Sequence, residues 1–219
     1  STESNIPDFR SSNGLFNEKL NMTFSPEQLV SHTFYIKYPK EFFNFYKSKL
    51  IYPDAKPNMA HISLAKLEKM GKLKAIITQN IDGLHQSAGS KVVFELHGSV
   101  LRNYCTSCGQ FYDEKFILNS TDIPTCTNCG GSVKPDVVLY EENLDNTIIN
   151  NSINAISNAD TLIIGGTSLI VYPAAGLINY FKGKNLILIN KSSTSADSKA
   201  TLIINDCIGK VLEAATKNL

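Results

Sequence analysis

Two Cys-x-x-Cys pairs, Cys105/Cys108 and Cys126/Cys129, are separated by seventeen residues. Cysteines two positions apart present both thiolates to one metal from a tight turn. Two such turns complete a tetrahedral sulfur site, for which zinc is the usual occupant. Gly109, Gly130 and Gly131 follow the pairs, where turns of this kind need a residue that tolerates positive φ. Four thiolates leave no coordination position open, so the expected metal is structural. A redox pair, free thiols and a rubredoxin-like iron site are the other readings of the same spacing. The fifth cysteine, Cys207, stands alone in an apolar neighbourhood. Without a secretion signal, a disulfide framework is not expected in a chain of 219 residues.

The remainder is ordinary for a globular protein, with 42% hydrophobic and 19% charged residues. A net charge of +1 gives no electrostatic reason to expect nucleic acid or an anionic membrane as partner. No apolar run approaches the ~18 residues of a membrane span. Ser1–Arg10 lacks the apolar stretch of a secretory leader, so a cytoplasmic protein is expected.

The pattern predicts helices from Ser25-Pro26, over Glu41–Leu50, and from Asn58 to a stop at Gly71. Short β-branched runs then predict strands at Leu73–Thr78, Lys91–Leu96, Val137–Tyr140, Thr161–Ile164, Leu186–Ile189 and Thr201–Ile204. Helices are expected over Ile148–Ser157, Pro173–Phe181 and Ile208–Thr216. Strands alternating with helices predict an α/β fold with a Rossmann-like parallel sheet. Residues 1–24, 71–104 and 132–219 would form that domain. A helical insertion (25–70) and the cysteine module (105–131) would form a smaller one.

Several strand ends carry polar groups suited to a binding crevice. Thr78 to His85 offers amides and a carboxylate able to grip a carboxamide or a ribose; a polar turn capping a helix is the plainer reading. His97 ends a strand; an imidazole there could serve as a general base or be a structural histidine. Gly165-Gly166-Thr167-Ser168 suits phosphate or ribose but is not the dehydrogenase fingerprint. Asn190 ends the Leu186–Ile189 strand, where it could meet a ribose hydroxyl or simply mark the strand exit.

Together these segments resemble the sirtuin family, bacterial type, over nearly the whole chain. Ile6 to Ser11 is similar to its cofactor-loop motif and Thr78 to His85 to its TQNIDGLH motif. Leu96-His97-Gly98 resembles its catalytic segment. The cysteine pairs sit where its zinc module sits. Gly166 to Leu169 with Val171 and Pro173 to Ala175 resembles its second NAD motif. The resemblance implies an NAD-dependent protein-lysine deacylase giving free lysine, nicotinamide and O-acyl-ADP-ribose. It implies His97 as base, and Thr2, Phe9, Arg10, Gln79, Asn80, Ile81, Asp82, Thr167, Ser168, Asn190 and Ile208 around NAD. Val138, Leu139 and Tyr140 would pair with the substrate backbone, with Val171 walling the acyl-lysine tunnel. The partners implied are acylated-lysine proteins.

Three positions depart from the family pattern. The chain starts inside the first motif, which predicts a native chain reaching roughly 20–30 residues further upstream. Asn5 replaces a glycine, and Tyr140-Glu141-Glu142 replaces Phe-Gly-Glu. Relatives that remove acidic acyl groups carry a Tyr-x-x-Arg pair just after the cofactor loop. The next arginine after Arg10 is Arg102, so an uncharged acyl group is expected. An ADP-ribosyltransferase on the same scaffold and a non-enzymatic zinc-ribbon module are the competing readings.

Overall fold

The computed structural model describes residues 1–8 and 24–219; Phe9 and Arg10 lie outside the described residues. The helices are α1 (Pro26–Leu29), α2 (His32–Lys37), α3 (Pro39–Lys49), α4 (Met59–Lys69), α5 (Leu84–Ser87), α6 (Glu114–Asn119), α7 (Asn146–Ser157) and α8 (Ile208–Thr216). The strands are β1 (Ile76–Thr78), β2 (Val93–Glu95), β3 (Gly98–Cys105), β4 (Phe111–Tyr112), β5 (Val133–Val137), β6 (Thr161–Gly165), β7 (Asn185–Ile189) and β8 (Leu202–Ile204). They fall into two units. No helix among the described residues is long and apolar enough to cross a membrane.

The first unit comprises Ser1–Ala55, Asn80–Gly83 and His97–Leu144. Ser25 starts α1 through a reciprocal cap: its Oγ accepts from the Gln28 N–H, and the Gln28 side chain accepts from the Ser25 N–H at 2.7 Å. Helix α3 buries Phe42, Phe43, Phe45 and Tyr46. Phe42 and Phe43 meet edge to face at 5.3 Å, the arrangement the ring quadrupoles favour. This aromatic core continues through Ile117 and Val133 to Cys105 and Cys126. The antiparallel sheet has the order β4-β3-β5.

The second unit comprises Lys56–Gln79, Leu84–Leu96 and Asp145–Leu219. Both of its sheets are parallel, β1 with β2 and β6-β7-β8 in order. Asn58 caps α4 by accepting the Ala60 N–H at 2.9 Å, and Gly71, at φ 72°, ends the run. Helix α4 belongs to this unit, not with residues 25–55, because it packs along α8. The Ser63 and Thr216 hydroxyls meet at 3.1 Å, and Ala60 shares a core with Ile189 and Leu212.

Two expected elements differ in place or type, and β3, β4 and α6 stand where no element was expected. The strand expected at Val137–Tyr140 lies earlier, at Val133–Val137. Pro135 disguised it; proline is tolerated there because β5 is an edge strand. The helix expected over Pro173–Phe181 is a 3-10 helix over Ala174–Tyr180. Gly176 at its centre lowers α-helical propensity.

Candidate functional site

The four cysteines converge in the first unit. Their Sγ atoms lie within 4.8 Å of one another, with Cys105–Cys129 at 3.5 Å and Cys108–Cys126 at 3.6 Å. A zinc–sulfur bond of 2.3 Å implies a tetrahedral edge of about 3.8 Å, so the donor set fits zinc. The sulfurs are too far apart for disulfides. The Cys126 thiol is held down to about 6, chiefly by a hydrogen bond from the Tyr112 hydroxyl.

Strand β3 joins this centre to the histidine. It ends at Cys105 and starts at Gly98, directly after half-buried His97. The His97 carbonyl accepts the Val138 N–H at 3.0 Å, and the Ile81 carbonyl accepts the Val100 N–H at 2.9 Å. Backbone pairing thus brings His97, Ile81 and Val138 together in one unit. Asp82, in the same turn as Asn80 and Ile81, accepts a hydrogen bond from Ser1 Oγ. Thr2 opens the short 3-10 turn Thr2–Ser4, which ends at Asn5 with φ 62°; asparagine tolerates the left-handed geometry where the family has glycine.

Gly98 is required where it stands. Its φ is 74°, and a Cβ would lie 1.9 Å from the Asp136 carbonyl oxygen. Gly98→Ala is therefore expected to cost about 2 kcal/mol of stability or more. Urea unfolding measures this; a wild-type midpoint would contradict the geometry.

The segment after β5 is tied down by groups the sequence did not single out. Tyr140 donates its N–H to the Val30 carbonyl at 3.0 Å and accepts the His32 N–H at 2.9 Å. Leu139 buries its side chain in the aromatic core, while Val138 is half-buried and Tyr140 exposed. Glu141 takes φ 76° where the family has glycine, and its carboxylate accepts the Thr33 N–H at 2.8 Å. The Glu142 carboxylate accepts from the Leu139 N–H at 2.9 Å and Lys134 Nζ at 3.1 Å, with His32 Nδ1 at 2.8 Å. Burial works to raise its pKa, but these partners outweigh it and hold the carboxyl below the usual range. Only the two adjacent glutamates gave any signal in the sequence. Their partner His32 lies 110 positions away from Glu142.

The second unit gathers polar groups at the carboxyl ends of β6 and β7. A Cβ at Gly165 would meet Ile208 Cδ1 at 2.1 Å, so glycine lets the first residue of α8 close on the end of β6. Gly166 follows at φ 62° with open space where a Cβ would stand. Asn190 Nδ2 donates to the Thr167 carbonyl at 3.0 Å and the Ser192 carbonyl at 2.8 Å. Thr167 Oγ1 accepts the Leu169 N–H at 3.1 Å. Thr167, Asn190 and Ile208 are thus brought to one end of the sheet. Ser168 is exposed beside Thr167, Val171 is half-buried two residues beyond Leu169, and Gln79 follows β1. Hydroxyls and carboxamides around an unencumbered glycine turn fit a dinucleotide's ribose and phosphate groups.

The sequence profile of the Sir2 family matches residues 1–173. A Clostridium perfringens protein described as an NAD-dependent protein deacetylase is 78% identical over 213 residues, covering 97% of this chain and 87% of the relative. A solved structure described as Sir2–p53 peptide–NAD+ superposes with a TM-score of 0.85 at 39% identity, covering 99% of this chain and 88% of that one. Another, Sir2 with deacetylated p53 peptide and 3'-O-acetyl-ADP-ribose, gives a TM-score of 0.90 at 39% identity over the same shares. Profile, sequence and fold agree with the geometry of both units, and the chain belongs to the Sir2 family.

Proposed function

We propose that this protein is an NAD-dependent protein-lysine deacetylase releasing free lysine, nicotinamide and O-acetyl-ADP-ribose. The observation that carries the reading is the direct backbone bond between His97 and Val138. It fixes the candidate base beside the segment that would pair with the acetylated peptide. NAD, when bound, would supply the ribose that takes up the acetyl group as nicotinamide leaves, and water would complete the release of free lysine. His97 takes the proton from a ribose hydroxyl. Gln79, Asn80, Ile81 and Asp82 would line the nicotinamide and ribose pocket, and Thr2 would also bind NAD. Thr167, Ser168, Asn190 and Ile208 hold the adenosine side. Val138 and Tyr140 align the peptide main chain, Leu139 anchors that segment in the core, and Val171 lines the acyl-lysine channel. Phe9 and Arg10 would cover the cofactor. The four cysteines hold zinc as a structural ion. Acetylated proteins are the proposed substrates and the cytoplasm the proposed compartment, where thiolate ligands stay reduced.

The test incubates the protein with NAD and an acetyl-lysine or succinyl-lysine peptide, following nicotinamide and peptide mass. Loss of the acetyl group with matched nicotinamide release, and little turnover of the succinyl peptide, is expected. A protein that gains an ADP-ribose mass instead would establish the transferase reading. Absence of both NAD binding and turnover would leave a non-enzymatic zinc module.

A further inference from the structure

We propose that Tyr112 is a positioning residue of the metal centre, its hydroxyl donating to Cys126 Sγ and retarding loss of the metal. The inference rests on reading the four cysteines as a zinc site and goes beyond it. Tyr112 is held by both its main chain and its ring. Its main chain pairs with Asn103, whose Nδ2 donates to the Tyr112 carbonyl at 3.3 Å, and the ring stacks on Phe116 at 4.0 Å.

Three groups surround the hydroxyl. The Thr127 N–H donates to it at 2.8 Å, Thr127 Oγ1 lies at 3.0 Å, and Cys126 Sγ lies at 3.1 Å. Proton inventory settles the direction of the bond. A backbone N–H only donates, a metal-bound thiolate only accepts, and the threonine hydroxyl brings its own proton. Every group is satisfied when Thr127 donates to the phenol oxygen and the phenol proton goes to sulfur.

Burial gives that bond its purpose. Four thiolates around a divalent ion leave a net charge of about −2, which donors must disperse. Cys108 and Cys129 are exposed residues, and Cys108 Sγ has the Asn128 side-chain amide at 3.8 Å. Cys105 and Cys126 are buried and depend on protein donors. Cys105 accepts the Ser107 N–H at 3.4 Å and is also held by the Cys108 N–H; Cys126 has the phenol as its strongest donor, ahead of the Cys129 and Asn128 N–H groups.

The test compares the full-length wild type, Tyr112→Phe and Tyr112→Leu, loaded with zinc and challenged with a chromogenic chelator. In parallel, each is refolded with Co(II) to record the thiolate-to-cobalt charge-transfer band. Phenylalanine keeps the ring stack and removes only the oxygen. Tyr112→Phe is expected to weaken metal binding about 10–100-fold and to move the cobalt band to lower energy, because a thiolate without its donor is more electron-rich. If Tyr112→Phe matches wild type in both readouts while Tyr112→Leu loses zinc, the ring packs and the hydroxyl does nothing, which overturns the inference. A wild type that binds neither zinc nor cobalt overturns the metal site itself, a failure visible before any variant is compared.

Discussion

His97→Ala is expected to slow deacetylation by about 10²–10⁴-fold, the range for loss of a positioned base, while nicotinamide exchange falls much less. Exchange reports only the first, reversible departure of nicotinamide, which precedes any need for a base at the ribose hydroxyl. The variant is a clean probe because the bond from the Val138 N–H ends on the His97 main-chain carbonyl. Alanine keeps that carbonyl, so the substrate segment stays in place while the imidazole is lost. Asp82→Asn should show the reverse bias, exchange suffering at least as much as turnover, because Asp82 is assigned to the nicotinamide side. Labelled-nicotinamide exchange run beside deacetylation separates the two steps. Equal loss of both activities in His97→Ala, with NAD binding retained, would assign His97 another role.

Cys126→Ala is expected to strip the zinc and lower the melting temperature by roughly 20 °C or more. Binding free energies of about 10–16 kcal/mol for comparable structural sites are folding free energy, and each kcal/mol is worth ~2–4 °C in a chain of this size. Cys126 sits in the core that also contains Val137 and Leu139, so the damage should reach the substrate segment. Cys207→Ala is the control: Cys207 precedes α8, its side chain makes no capping bond, and it lies outside the four-cysteine cluster. Metal analysis and thermal melting read both variants. A zinc-free Cys126→Ala protein melting with the wild type would remove the metal from the folding argument.

The most legible parts of the sequence were those where local chemistry and tertiary demand agree. Ser25, Asn58 and Gly71 mark helix ends by side-chain hydrogen bonding or left-handed backbone, and they do so in the structure. The apolar runs at Thr161 and Leu186 are paired parallel strands, β6 half-buried and β7 more deeply buried, because few other elements accommodate such stretches. The paired cysteines declared their cluster because a metal site constrains spacing as strongly as residue type. Strand β3 was missed because Arg102 and Asn103 interrupt any alternation, with Asn103 fully buried and bonded to main-chain carbonyls. The clamp on Glu142 and the hydroxyl of Tyr112 were missed because each rests on contacts set by tertiary proximity. A lone tyrosine between two cysteine pairs carries no pattern for a one-dimensional reading to catch.

The irregularity in β3 has a bearing on how the chain can change length. Between Gly98 and Asn103 the ladder with β5 loses register, so the stretch next to the histidine and the stretch next to the metal are separately phased. A residue inserted between Leu101 and Arg102 would enter where no ladder has to be kept in step. The same insertion between Asn103 and Cys105 would turn successive side chains to the opposite face, carrying the Cys105 sulfur away from its three partners. Indels should therefore accumulate on the histidine side of Asn103 and be purged on the cysteine side.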